Sequence, residues 1–110
     1  MLFYVQMRWE PRGLSHDELM RLELDETRNA AASLPEGMKV IGIWKVASQH
    51  RVIVIVDVES AEILDKHTMF TLPMRGHLEY EQVWALCDYG EFAGDLTNYV
   101  EGLDSKQKAG

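Results

Sequence analysis

Hydrophobic and polar positions along this chain change period several times, and each change marks an element. Residues 2–9 alternate, with Phe3, Val5, Met7 and Trp9 on one side and Tyr4, Gln6 and Arg8 on the other. A period of two predicts a strand with one apolar and one mixed face. Pro11 and Gly13 break it. From His16 to Leu34 the period becomes helical: Leu19, Leu22, Ala30 and Leu34 fall on one face. Ser15 and Glu18 form a capping box at its start, Leu14 and Leu19 fit a hydrophobic staple, and Pro35 and Gly37 stop it at Ser33 or Leu34. Residues 38–47 and 51–58 return to strand character around a turn at Ser48-Gln49-His50. Val52-Ile53-Val54-Ile55-Val56 is β-branched throughout and predicts a central strand. Ser60 caps a second helix over about 61–71, with Ile63, Leu64, His67 and Phe70 at helical spacing, and Pro73 and Gly76 end it. Leu78, Tyr80, Gln82, Trp84 and Leu86 alternate as a fourth strand. Phe92, Leu96 and Val100 predict a short extra helix over about 91–102, and the last eight residues are expected to be loose.

The order β-α-β-β-α-β predicts an α+β protein of ferredoxin-like architecture, a four-stranded antiparallel sheet with two helices on one side. Residues 1–90 then form one domain and residues 91–110 a C-terminal extension. On the middle strands both alternating sets are apolar: Val40, Trp44 and Val46 on one side, Ile41 and Ile43 on the other. Two helices cover one face only, so the second predicts self-association into a homo-oligomer, at least a dimer.

One position breaks the helical stripe with chemical consequence. Glu26 takes the i+7 place among Leu19, Leu22, Ala30 and Leu34. A carboxylate on a core-facing stripe is costly to desolvate without a partner or a task, so it points either to an ion pair or to acid/base chemistry.

Composition narrows the classes. The 110 residues carry 11 basic against 18 acidic side chains, net −7, which argues against a nucleic-acid surface and against anionic membranes. The single cysteine, Cys87, excludes a disulfide within the chain and fits a reducing, cytoplasmic setting. No signal-peptide pattern or membrane-length apolar run is present. The histidines His16, His50, His67 and His77 lack metal-ligand spacing and no glycine-rich phosphate loop occurs, so neither metal nor cofactor is expected.

Met1-Leu2-Phe3 with Val5 and Met7, Ile43-Trp44 with Val46, Asp57-Val58-Glu59-Ser60 and Leu72-Pro73 together resemble the muconolactone isomerase family over about residues 1–80. The resemblance implies a dimeric α+β barrel, often within a larger ring-like oligomer. It also implies a cofactor-independent reaction that moves a proton between carbons of an unsaturated lactone carrying a carboxylate. Glu26 matches the family's proposed acid/base residue. Three positions depart from the pattern: His50 replaces a tyrosine, Val52 an asparagine, and Tyr4 stands where a histidine is expected. His50 still exchanges protons near neutral pH.

The expectation is a cofactor-independent isomerase acting on an unsaturated lactone or related cyclic acid. Glu26 shuttles the proton, His50 and Tyr4 assist, and Arg8, Trp44 and Arg75 bind substrate. Lys45 is a further candidate cation, but an arginine fork suits a carboxylate better. The alternatives are a non-catalytic small-molecule-binding or oligomer-forming module, and a cofactor-free oxygenase or cyclase on the same scaffold.

Overall fold

The computed structural model describes residues 1–30 and 32–109, with the side chains of Lys108 and Ala109 outside the description. Its elements are β1 (Leu2–Trp9), α1 (His16–Ala30), β2 (Met38–Lys45), β3 (Arg51–Val58), α2 (Ala61–Lys66) continuing into a π turn (His67–Thr71), β4 (Leu78–Leu86) and α3 (Tyr89–Ala109). The strands form one antiparallel sheet in the order β2-β3-β1-β4, so the α+β, βαββαβ expectation holds.

Local chemistry sets the helix starts. Ser15 Oγ accepts from the Glu18 amide at 3.2 Å, and a Glu18 oxygen accepts from the Ser15 amide at 3.1 Å, which completes the capping box. Ser60 Oγ accepts from the Ile63 amide at 3.3 Å and caps α2. The ends differ from expectation. Helix α1 is described over His16–Ala30 and has ended by residue 32, short of the expected Ser33 or Leu34; Ala31 lies outside the described residues. A single helix-like bond, Ser33 amide to Asn29 carbonyl at 2.9 Å, carries the turn onward. Pro35 forces Leu34 out of the helical region and unwinds this end. Helix α2 loses α geometry at His67, where the Leu72 amide reaches back to the His67 carbonyl at 3.3 Å. Helix α3 runs to Ala109, so the tail expected to be loose is helical.

Two bulges redraw the faces of the sheet. Between Val40 and Gly42 the pairing with β3 slips: Val40 lies opposite Val56, Gly42 opposite Ile55 and Ile43 opposite Val54. Val40 and Ile43 therefore share the helix-covered face, and Trp44 is on the other, which corrects the grouping of Val40 with Trp44. Gly42 lies beneath the Trp44 indole, and any Cβ there would run into the ring. A second slip, at Gln6/Met7 against β4, puts Tyr80 opposite Met7 but Gln82 opposite Gln6. Leu78 and Tyr80 thus face the helices, while Trp84 and Leu86 face away. An extra residue in one strand reverses the alternation beyond it.

The helix-covered side holds two core clusters. Phe3, Val5, Val52, Val54, Val56, Val58 and Leu64 form one between the sheet and α2. Leu19, Leu72, Met74 and Leu78 form the other, between α1 and the segment after the π turn. Met7, Trp9 and Tyr80 border both clusters. Among the described residues the far side of the sheet carries no helix: Trp44 and Trp84 are each 54% exposed there, and Ile53 and Ile55 are partly exposed. Every described side chain of α3 except Ala93 is exposed, which leaves this helix without cover. The radius of gyration is 19.8 Å, against about 13 Å for a compact chain of this length.

Candidate active site

Where the two core clusters fail to merge, a cavity of about 340 Å³ remains between α1, the sheet and the π turn. Its walls are mainly aliphatic, with Val5, Met7, Val52, Val54 and Val56 from the sheet and Leu64, Leu72 and Met74 from the opposite side. Trp9 closes part of the wall. The polar groups that reach it are few: Glu23, Glu26 and Thr27 from α1, and His67 and Thr68 from the π turn. An apolar hollow with a small set of convergent ionisable groups is the usual form of a small-molecule site. A larger hollow of about 500 Å³ lies between α2 and β4, but its acids Glu62 and Asp65 are exposed on α2.

Glu26 is anchored. One of its carboxylate oxygens accepts from the Met74 amide at 2.7 Å, across 48 residues of sequence. Burial raises its pKa, and the Met74 hydrogen bond and the charge of Arg75 partly offset that rise. Glu23, three residues earlier, projects from the same side of α1. Its Oε2 is buried without a hydrogen-bond partner. Burial, and then the charge of Glu26, push its pKa up to about 7. The pair therefore has unequal members: Glu26 has a donor that favours the carboxylate, and Glu23 has none and favours the carboxylic acid.

His67 stands three and four residues after the inward-facing Leu64 and Ile63 of α2, which turns it inward, and the π turn starts there. It is 7% exposed, and burial lowers its pKa, so it is held as neutral imidazole with one donor and one acceptor nitrogen. A π turn inside a short helix frequently accompanies a functional site. Tyr80 donates to the Thr68 carbonyl at 3.1 Å. Its phenol is pushed up to about 12 by burial and secondarily by the Glu26 charge, so it stays protonated.

Of the residues expected at the site, the structure brings only Glu26 into the cavity wall. Arg75 is exposed, donates to the Leu72 carbonyl at 3.0 Å and acts on Glu26 through its charge. His50 is exposed in the β2–β3 turn; its ring centroid is 5.7 Å from that of Trp9, outside the cavity lining. Tyr4, Arg8 and Trp44 lie on the far face of the sheet, because they alternate with the cavity-lining residues of their strands. There Tyr4 stacks on Trp84 at 5.4 Å and donates to Gln6 at 2.8 Å. Arg8 pairs with Glu10 at 2.6 Å, and Arg51 with Glu81 at 2.9 Å. Tyr4, Gln6 and Arg8 do gather as their alternation predicts, but with the sheet between them and Glu26. Sequence reasoning missed Glu23 and His67. Glu23 was within reach, since it stands i+4 from Leu19 and i−3 from Glu26.

Among the described residues no cluster of three His, Cys, Asp or Glu side chains suits a metal ion. No described helix is long and apolar enough to cross a membrane.

Comparison with known proteins agrees with this fold. No curated protein matches the chain. A solved crystal structure of muconolactone isomerase is similar to it, with a TM-score of 0.62 and 27% identity, covering 80% of this chain and 90% of the other. The model of the muconolactone delta-isomerase family matches residues 1–91, leaving nearly all of α3 beyond it. The chain belongs to the muconolactone delta-isomerase family.

Proposed function

We propose that the protein is a cofactor-independent isomerase that moves a proton between carbons of an unsaturated cyclic carbonyl compound, a lactone or a close relative. The observation that carries this reading is the pair Glu23 and Glu26 on one wall of an apolar cavity, one carboxyl hydrogen-bonded to the Met74 amide and the other unpartnered. Family membership supports it, since members of the family are isomerases.

The roles follow from the two environments. Ionised Glu26 takes the proton from the carbon between the carbonyl and the double bond. The electron pair of that C–H bond moves into a dienolate. Protonated Glu23 donates to the developing oxyanion, as a carboxylic acid kept neutral in an apolar site can do. Glu26 then returns the same proton to the far carbon, and the double bond ends in conjugation with the carbonyl. Substrate and product have the same atoms, and no oxidant or reductant enters. The Met74 amide fixes the Glu26 carboxylate while it travels between the two carbons, and neutral His67 supplies a further hydrogen-bonding group on the opposite wall. General acid–base catalysis of this kind contributes on the order of 10²–10⁴-fold.

The test is proton NMR in D₂O with β,γ-unsaturated cyclic ketones and lactones. Conversion to the conjugated isomer is expected with the native protein, and loss of at least about 10²-fold in kcat with Glu26→Gln, whose fold is checked by circular dichroism. Conversion that persists in Glu26→Gln would remove Glu26 as the shuttle. Ligand binding without conversion across the series would favour a binding module.

A further inference from the structure

The cavity also bears on which carbonyl compound fits it. Among the described residues its wall carries two carboxyl groups and no lysine or arginine. Each nearby cation is placed elsewhere. Arg8 is on the far face of the sheet, paired with Glu10. Arg75 is exposed and spends one nitrogen on the Leu72 carbonyl. Lys45 is opposite Val52 on the helix-covered face, but it is exposed and outside the lining. A carboxylate-bearing ligand would bring a second negative charge beside ionised Glu26, with only the exposed Arg75 nearby as counter-charge, which is unfavourable in an apolar surround. A neutral carbonyl oxygen meets the opposite situation. Protonated Glu23, whose Oε2 is buried and unpartnered, would donate to such an oxygen.

From this lining we infer that the site takes a neutral, apolar cyclic ketone or lactone without a carboxylate, of about one or two fused rings. The inference rests on the isomerase reading of the same cavity and deepens it by naming the substrate class. The volume of about 340 Å³ sits at the small end of ligand pockets, which sets the ring count. The aliphatic walls from Val5, Val54 and Leu72 fit an unsubstituted ring edge, and the Trp9 indole offers an aromatic wall.

The test is isothermal calorimetry at pH 6, where Glu23 is protonated, with two bicyclic probes of similar size: 2-tetralone, neutral and enolisable, and 2-naphthoate, a carboxylate. With the native protein 2-tetralone is expected to bind at least about tenfold more tightly than 2-naphthoate. In the double variant Glu23→Gln/Glu26→Gln the gap between the two probes should narrow by about tenfold, the 2-naphthoate affinity rising relative to that of 2-tetralone. Equal or tighter binding of 2-naphthoate by the native protein would overturn the inference, and so would failure of both probes to bind at millimolar concentration. The native comparison decides the matter even if the double variant does not fold. Selective binding of 2-tetralone, with no isomerisation of β,γ-unsaturated ketones of the same skeleton, would support the ligand class while overturning the isomerase reading.

Discussion

Replacing Glu23 by glutamine isolates the least comfortable group in the molecule. In the unfolded chain its carboxyl ionises near 4.5; in the folded protein burial and the neighbouring Glu26 move this to about 7. The folded form therefore holds a proton that the unfolded form has released between these values. Stability contributed by the neutral carboxyl is present at pH 4.5 and below, and is lost as pH rises to about 7. At ~1.4 kcal/mol per pH unit the full separation corresponds to about 3 kcal/mol. The side chain is only partly buried, and solvent screening reduces this to about 1–2 kcal/mol. Glutamine has nearly the shape of the protonated acid and cannot ionise. Glu23→Gln should match the native protein at pH 5 and exceed it by about 1–2 kcal/mol at pH 8, equivalent to a rise in Tm of roughly 5–10 °C.

Urea unfolding of both proteins at pH 5, 6.5 and 8 measures this directly. His67 works in the opposite direction, since its lowered pKa makes stability rise with pH, and Glu26 works in the same direction as Glu23. The His67 contribution is common to the two proteins and cancels in the difference, whereas relief of the repulsion from Glu26 is part of what the substitution measures. A variant that is no more stable than the native protein at pH 8, or a difference that does not change with pH, would refute the argument. Glu23 would then be an ordinary ionised carboxylate, and the hydrogen-bond donor of the proposed mechanism would be lost with it.

Two further outcomes follow from the same environments. Turnover should fall as pH rises through about 7, because Glu23 must be protonated, and should fall again in acid as Glu26 is neutralised; a rate-against-pH profile that keeps climbing above pH 8 would contradict the assignment. His67→Leu removes a buried imidazole whose stability contribution is lost as pH falls below its unfolded value of 6.5, so the native protein's loss of stability between pH 6.5 and 5 should be smaller in the variant when followed by urea unfolding.

How much of this was readable in the chain depends on which regularities survive folding. The capping box at Ser15, the Ser60 cap, the β-branched run Val52–Val56 and the order of elements are local, and the structure keeps them. Glu26 was readable because a carboxylate on an apolar stripe is conspicuous at any register. Its partner Glu23 was less conspicuous, since the stripe was traced through Leu22 and one helical face accommodates both positions. Its significance comes from Glu26 and from burial, which only the packed helix reveals. The sheet misled for a different reason. Alternation assigns a face only while the ladder is unbroken, and the slips at Val40/Gly42 and Gln6/Met7 carry no sequence signal strong enough to locate them beforehand. Tyr4 and Arg8 were correctly placed together, but which face they share depends on where the helices settle. His67 was visible as one more residue at the end of the α2 stripe, but nothing local showed that it would share a cavity with Glu23 and Glu26. The fold was thus legible from local rules. The site depended on a histidine and a second acid whose roles only tertiary packing creates.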